Sequence, residues 1–194
     1  MLTVALTGGI GCGKTLACKI FSEYGTPIID TDQIARELVR PEQPALQEII
    51  ENFGSQVIQP DGSLNRKQLA TIVFSDCEQR KKLESILHPR IRHSVKSQLE
   101  SLHAAYVIIA IPLLIESGQE SIYDRVLVID CTQQQQIDRT QQRDARSIDE
   151  IKAIIKSQVS RDERLRIADD VIDNSGDQAT LRAQIARLHE QYSQ

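Results

Sequence analysis

The sequence lacks the features of exported and membrane-spanning proteins. Its first residues form neither a basic stretch nor a cleavage site of small residues, and no apolar run approaches the roughly 18 residues of a membrane span. We therefore expect a cytoplasmic protein without a membrane partner. Its four cysteines form no CxxC or CxxH pair, so we expect reduced thiols and neither a zinc site nor a disulfide framework.

An excess of basic charge is also missing. The 23 lysines and arginines are outnumbered by 27 aspartates and glutamates, which gives a net charge of -4. Binding to nucleic acids of any sequence needs a dense excess of Lys and Arg, so we expect no nucleic-acid partner and favour small-molecule chemistry. The 194 residues suffice for one well-buried core with additions. We expect a monomer or a weak homo-oligomer.

Short apolar runs alternate with helical patterns along the chain, and five of these runs predict buried strands. This alternation predicts an α/β fold in which a five-stranded parallel sheet is flanked by helices on both faces. A helix is predicted over 14–24, directly after the first strand. The predicted strands cover residues 2–7, 27–30, 106–111, 125–130 and 170–173.

The second and third strands are separated by about 75 residues, more than one crossover requires, which predicts an inserted helical segment. Helical patterns cover 44–53 and 66–74. A capping box, Ser75 to Glu78, then predicts a helix running toward Leu87. Pro89 predicts a break in that helix before another over 91–102.

A second helical segment over 132–167 is rich in arginine and contains a capping box at Ser147 to Glu150. We expect this segment to form a flap over one end of the sheet. Its arginines are Arg139, Arg143, Arg146, Arg161, Arg164 and Arg166.

Residues 8–15 read Gly-Gly-Ile-Gly-Cys-Gly-Lys-Thr and fill every required position of the phosphate-loop motif GxxxxGK[ST], between a predicted strand and a predicted helix. The glycines let backbone N–H groups and the helix N-terminus bind the β- and γ-phosphates. Lys14 adds positive charge there, and Thr15 offers a hydroxyl to Mg²⁺. The predicted ATP-binding residues are Gly9, Gly11, Cys12, Gly13, Lys14, Thr15 and Leu16. Cys12 is expected to act through its backbone, with a reactive thiol as the alternative.

Two carboxylates, Asp30 and Asp32, follow the second predicted strand at the edge where open α/β sheets bind ligands. A carboxylate near the γ-phosphate can accept the proton of an attacking hydroxyl or orient that hydroxyl. Either acid can instead cap the next helix.

Several ordered segments together resemble the dephospho-CoA kinase family, over residues 3 to 190. The resemblance implies the P-loop kinase fold, with a core of five parallel strands, an α-helical domain that receives the CoA precursor, and a helical lid. The implied divisions are core 1–30, 106–138 and 168–194, acceptor domain 31–105 and lid 139–167. The segments that carry the resemblance are 6–15, 30–36, His88-Pro89, 112–114 with Glu116, 125–130, 142–144 and 168–174.

The resemblance implies that the chain transfers the γ-phosphate of ATP to the ribose 3′-hydroxyl of dephospho-CoA, giving coenzyme A and ADP in the last step of CoA biosynthesis. Asp32 would be the catalytic base or orienter, and Asp30 would organise the metal or its waters. Arg143 would be the lid arginine that, with Lys14, stabilises the transferring phosphoryl group. Further candidates for acceptor contacts are Arg36, His88 and Arg92.

Three other functions are compatible with parts of the sequence. A different small-molecule or nucleoside-monophosphate kinase of the P-loop class would share the loop, the sheet and the flap arginines. A nucleotide-operated switch would need an Asn-Lys-x-Asp guanine reader, which the sequence lacks. A non-catalytic binding module would leave Asp32 and the arginine flap without a role. The basic excess over 76–96 suits an acceptor that carries a pyrophosphate, although a solvated helix face has the same composition.

Overall fold

The computed structural model describes the side chains of residues 1–73 and 76–194. Its five strands form one sheet in the order β2-β3-β1-β4-β5, and every neighbouring pair is parallel. The predicted α/β class and the five parallel strands are confirmed. The strands are β1 (Leu2–Gly8), β2 (Ile28–Asp30), β3 (Tyr106–Ala110), β4 (Arg125–Asp130) and β5 (Asp170–Asp173).

Helices occupy most of the chain between the strands. In chain order they are α1 (Lys14–Glu23), α2 (Thr31–Leu38), α3 (Pro44–Phe53), α4 (Arg66–Ser75), α5 (Cys77–Ser101), α6 (Gln133–Asp144), α7 (Ile148–Ser157), α8 (Arg161–Arg166) and α9 (Gln178–Tyr192). Among the described residues, none of these helices combines the length and the apolar character that crossing a membrane requires.

The chain divides into two compact units, residues 1–30 with 102–194, and residues 31–101. The first unit holds the sheet. Its strands are apolar almost throughout because both faces are covered, as all five buried residues of β3 illustrate. On one face, alternate strand residues such as Val4, Leu6 and Ile129 pack against Phe21 of α1 and Leu181 of α9. This packing fixes the carboxyl end of β1, where the glycine-rich loop begins.

The second unit contains α2 to α5 around its own apolar cluster, which includes Leu46, Ile49 and Ile86. The predicted break at Pro89 is wrong, since α5 runs through it without interruption. Proline removes one backbone donor from a helix and disturbs the preceding turn. The guanidinium of the next residue, Arg90, donates to the carbonyl of Ile86 at 2.7 Å and to the carboxylate of Glu48 at 2.6 Å, which ties this part of α5 to α3.

The capping box predicted at the start of α5 begins at Ser75. The side chain of Ser75 lies outside the described residues. Asp76 precedes the helix, and its carboxylate accepts hydrogen bonds from the backbone N–H groups of Glu78 at 2.8 Å and Gln79 at 3.3 Å. A carboxylate at this position also interacts favourably with the helix dipole.

The predicted flap over 132–167 consists of the three helices α6, α7 and α8, which belong to the first unit. The capping box predicted at Ser147 and Glu150 is confirmed. Two further boxes, which begin at Thr132 and Ser160, start α6 and α8. Both match the S/T-x-x-E/Q pattern, so the sequence contained a signal for each of them.

Candidate nucleotide site

The glycine-rich loop joins β1 to α1 and is packed too closely for larger residues. Gly11 and Gly13 have φ values of +74° and +97°, a left-handed conformation that favours glycine. A Cβ at Gly11 would lie 2.6 Å from the backbone oxygen of Gln136, and one at Gly13 would overlap the side-chain amide of Asn174. The motif's glycines are therefore required both by backbone conformation and by neighbours from α6 and the end of β5.

Three amide side chains hold the loop in shape. The Nδ2 atom of Asn174 donates to the carbonyl of Cys12 at 2.7 Å, and the Nε2 atom of Gln136 donates to the carbonyl of Ile10 at 2.9 Å. The Oε1 atom of Gln158 accepts from the N–H of Ile10 at 3.0 Å. Asn174 and Gln136 are buried, so these bonds are shielded from water and restrict the loop before any ligand arrives.

Sequence reasoning missed this role of the amides. Gln136 stands in a short glutamine run that predicts only helix, and Gln158 lies outside any motif. Asn174 belongs to the segment 168–174 that carries the family resemblance, but its sequence does not indicate that the side chain binds the loop.

Lys14 begins α1 and reaches back along the loop. Its Nζ atom donates to the carbonyl of Gly8 at 2.7 Å and to that of Gly9 at 3.1 Å. The residue before α1 is Gly13, which has no side chain to cap the helix, so the helix N-terminus is suited to an anion. Thr15 is exposed in the first turn, whereas Leu16 is half-buried against the core.

Asp30 is exposed and is the last residue of β2, at the carboxyl ends of the parallel strands, where β1 also leads into the glycine-rich loop. Its charge and that of Lys14 both act on the thiol of Cys18, one turn after Thr15. Burial raises the pKa of that thiol to about 12, with a further upward contribution from Asp30 and an opposing one from Lys14. Asp30 therefore lies close enough to Cys18 for its charge to act on that thiol.

The hydroxyl of Thr15 and the carboxylate of Asp30 fit a magnesium ion. Both are hard oxygen donors, and Mg²⁺ bound with a nucleotide keeps several waters and takes only one or two protein ligands. Among the described residues, no group of three or more His, Cys, Asp or Glu side chains forms a complete metal cage.

The flap arginines occupy two kinds of environment. Arg164 is buried, donates to the carbonyl of Val159 at 2.9 Å, and would lie 3.3 Å from a Cβ at Gly9. Arg161 forms a bidentate ion pair with Asp130, with a shortest distance of 2.6 Å. These two arginines hold the flap to the sheet and the loop.

Arg143, the predicted catalytic arginine, is exposed near the end of α6. Its Nε and Nη2 atoms donate to the two carboxylate oxygens of Asp144 at 2.7 and 2.8 Å. This pair lowers the pKa of Asp144 and raises that of Arg143. In the structure Arg143 therefore lies on α6 in an ion pair with its neighbour.

The predicted acceptor residues lie in the second unit. Asp32 and Arg36 are exposed and stand four residues apart on α2, a spacing that places them on one helix face. On α5, His88 is half-buried and Arg92 is exposed.

Arg36 also lines a cavity of about 480 Å³. The cavity contains four basic residues and no acidic one: Arg36, Arg40, Arg66 and Lys67. Among the described side chains, no carboxylate forms an ion pair with Arg36, Arg66 or Lys67, whereas Arg40 lies 4.0 Å from Glu37. The cavity is therefore electropositive.

A parallel sheet with a glycine-rich phosphate loop between β1 and α1, together with helices that carry arginines beside that loop, defines a P-loop kinase. Comparison with known proteins makes the assignment specific. The family model described as dephospho-CoA kinase matches residues 2–180, and this chain belongs to that family.

Individual relatives agree with this assignment. The dephospho-CoA kinase of Thiobacillus denitrificans is 49% identical over 193 residues, which cover 99% of this chain and 96% of the relative. The solved dephospho-CoA kinase of Campylobacter jejuni has a TM-score of 0.71 at 29% identity, covering 98% of this chain and 96% of its own. The structure of TT1252 from Thermus thermophilus has a TM-score of 0.86 at 30% identity and covers 97% of both chains.

Proposed function

We propose that this chain transfers the γ-phosphate of ATP to the ribose 3′-hydroxyl of dephospho-CoA, producing coenzyme A and ADP. The observation that supports this most directly is family membership over nearly the whole chain, combined with a phosphate loop whose shape is fixed by Asn174 and Gln136. We also propose a cytoplasmic location and a monomer or weak homo-oligomer.

The loop residues bind and orient the triphosphate. Backbone N–H groups from Gly9 to Leu16 surround the β- and γ-phosphates, and the N-terminus of α1 contributes its partial positive charge. The ammonium group of Lys14 moves from the carbonyls of Gly8 and Gly9 to the phosphate oxygens, where its charge lowers the energy of the transition state. A magnesium ion held by Thr15, with Asp30 near its waters, would reduce the negative charge that repels the acceptor hydroxyl.

Asp32 accepts the proton of the ribose 3′-hydroxyl or orients that hydroxyl as it attacks the γ-phosphorus. Asp32 is exposed in the first turn of α2. Arg143 leaves Asp144 when the flap closes and donates to the transferring phosphoryl group, where charge increases in the transition state. Residues 139–167 act as the lid in this proposal.

Residues 31–105 receive the acceptor. Dephospho-CoA carries a pyrophosphate, and the electropositive cavity beside Arg36 has the charge and volume to bind one. His88 and Arg92 of α5 are the other proposed acceptor contacts.

The proposal is tested by measuring ADP release with Mg²⁺-ATP and a panel of alcohol acceptors. Dephospho-CoA should give rapid turnover and yield coenzyme A, while shikimate and nucleoside monophosphates should give only the background rate. Phosphorylation of one of those other acceptors in place of dephospho-CoA would favour a different small-molecule kinase of the same class. ADP release that is independent of every acceptor would favour a nucleotide-operated switch.

A further inference from the structure

Two buried cysteines, one in the phosphate loop and one at the end of β4, lie in contact with each other. Cys12 belongs to the loop and is 1% exposed, and Cys131 follows the last residue of β4 and is 2% exposed. Their sulfur atoms are 3.2 Å apart, with the Cys131 thiol donating to the Cys12 sulfur. Both are free thiols, 119 residues apart in sequence, so only the fold brings them together.

We propose that Cys12 and Cys131 are a modification site, at which a peroxide converts the two thiols into a reversible disulfide that weakens the binding of ATP to the loop. The inference rests on the proposed ATP-binding function of the loop. The kinase reaction itself uses neither thiol.

The surroundings favour Cys12 as the thiol that reacts first. The hydrogen bond from Cys131 is the largest of the effects that lower the pKa of Cys12 to about 7, and the charges of Lys14 and Arg164 lower it further, against the opposing effect of burial. The same interaction raises the pKa of Cys131, because its proton is held between the two sulfurs. A thiol with a pKa near neutral pH combines a substantial thiolate fraction with good nucleophilicity.

The reaction has two steps. The Cys12 thiolate attacks one oxygen of hydrogen peroxide, the O–O bond breaks, and a sulfenic acid forms while the released hydroxide takes up a proton as water. The Cys131 sulfur then attacks the sulfenic sulfur, the S–O bond breaks, and the second hydroxide leaves as water with the Cys131 proton. Each sulfur loses one electron, and the peroxide gains two.

The disulfide would alter the part of the loop that binds phosphate. A disulfide requires the sulfurs to approach to about 2.05 Å, so the two residues must move closer together. Cys131 is fixed by the sheet, since it follows Asp130 at the end of β4 and that carboxylate is bound by Arg161. The loop therefore moves, which turns the N–H of Cys12 and weakens the hydrogen bond between its carbonyl and Asn174.

The test measures disulfide formation and ATP affinity on the same samples of the full chain. After brief treatment with hydrogen peroxide, the remaining thiols are alkylated and the digest is analysed by mass spectrometry. We expect a Cys12–Cys131 linked peptide pair that dithiothreitol removes. ATP affinity should fall by roughly tenfold or more, which corresponds to the loss of one hydrogen bond to a charged group, and should recover after reduction. Oxidation that links other cysteines, or linked protein with unchanged ATP affinity, would overturn the proposal.

Variants separate the pair from the other thiols. Cys131→Ala should bind ATP normally and keep its affinity after the same peroxide treatment, because the variant lacks both the disulfide partner and the hydrogen bond that lowers the pKa of Cys12. Cys77→Ser removes an exposed thiol and should remain as sensitive as the original chain. Equal sensitivity of Cys131→Ala, or protection by Cys77→Ser, would show that this pair is not responsible. Mass spectrometry detects the disulfide whether or not the protein binds ATP. If the reduced chain fails to bind ATP, that result would therefore contradict the proposed function and not the disulfide.

Discussion

The phosphate loop and the basic cavity of the second unit both suit phosphate groups, but they are built in different ways. The loop binds through backbone N–H groups, and buried amides such as Asn174 and Gln136 hold it in one conformation. The cavity is lined by exposed, flexible side chains such as Arg36 and Arg66. A rigid backbone site loses little entropy when its ligand binds, whereas long basic side chains must be ordered. This difference indicates that the rigidly held donors lie in the loop, where phosphoryl transfer requires the phosphate groups to be positioned accurately.

The largest effect is expected for Asp32→Asn, which keeps the size of the side chain and removes its ability to accept a proton. The turnover number should fall by about 10²- to 10⁴-fold, the usual contribution of a general base, while the affinity for ATP changes little. Steady-state kinetics with dephospho-CoA and a separate ATP titration measure the two quantities. Glu37→Gln on the same helix is the matched control and should retain full turnover. Equal losses in turnover and ATP affinity would indicate a metal-binding or folding role for Asp32.

The next largest effect is expected for Lys14→Met, which keeps the aliphatic chain and removes the charge. The turnover number should fall by about 10²- to 10³-fold, as when a preorganised donor to a transition-state oxygen is lost. Lys19→Met tests an exposed lysine of the same helix and should behave as the original chain. If Lys14→Met retained turnover, the loop would not act on the transferring phosphate.

The comparison between the two regions also explains what the sequence could predict. The five strands were predicted because buried parallel strands are continuous apolar runs. The phosphate loop was predicted because the left-handed backbone at Gly11 and Gly13 favours glycine, which leaves a recognisable motif in the sequence. The bond from Gln136 to Ile10 joins residues 126 positions apart, and the bond from the N–H of Ile10 to Gln158 spans 148 positions. No local pattern specifies such a partner, so these contacts appear only in the folded chain.

The wrong prediction at Pro89 has a related cause. Local rules assign a break to an internal proline, since its ring disturbs the preceding turn. The side chain of Arg90 donates to the carbonyl of Ile86, and Ile86 is buried in the apolar cluster of the second unit. Tertiary packing of α5 therefore outweighs the local preference.

A smaller effect is expected when one amide of the loop is removed. Asn174→Ala leaves the carbonyl of Cys12 without its donor, which should lower the free energy of unfolding by about 1–3 kcal/mol and weaken ATP binding by roughly tenfold. Thermal unfolding and an ATP titration measure these changes. Asn52→Ala removes a comparable bond, to the carbonyl of Glu48 in the second unit, and should leave ATP affinity unchanged. Equal ATP affinity in both variants would mean that the amides do not shape the loop for its ligand.

The smallest effect is expected for Arg66→Ala in the basic cavity. Arg66 is exposed, so the fold should tolerate its loss, and Arg36, Arg40 and Lys67 would still attract an anion. The Michaelis constant for dephospho-CoA should rise by about three- to tenfold, with turnover and ATP affinity unchanged, because one of several flexible donors to the pyrophosphate is missing.

Arg80→Ala is the matched control, since Arg80 is an exposed arginine of the same unit that lies 3.9 Å from Glu84 and outside the cavity. A second measurement uses adenosine, the part of dephospho-CoA that carries no pyrophosphate, as the acceptor. With adenosine, Arg66→Ala and the original chain should have the same Michaelis constant. A difference that persists with adenosine would place Arg66 on the ribose or the base. The site would then be organised around the nucleoside, and the contrast between a rigid phosphate loop and a flexible phosphate cavity would fail.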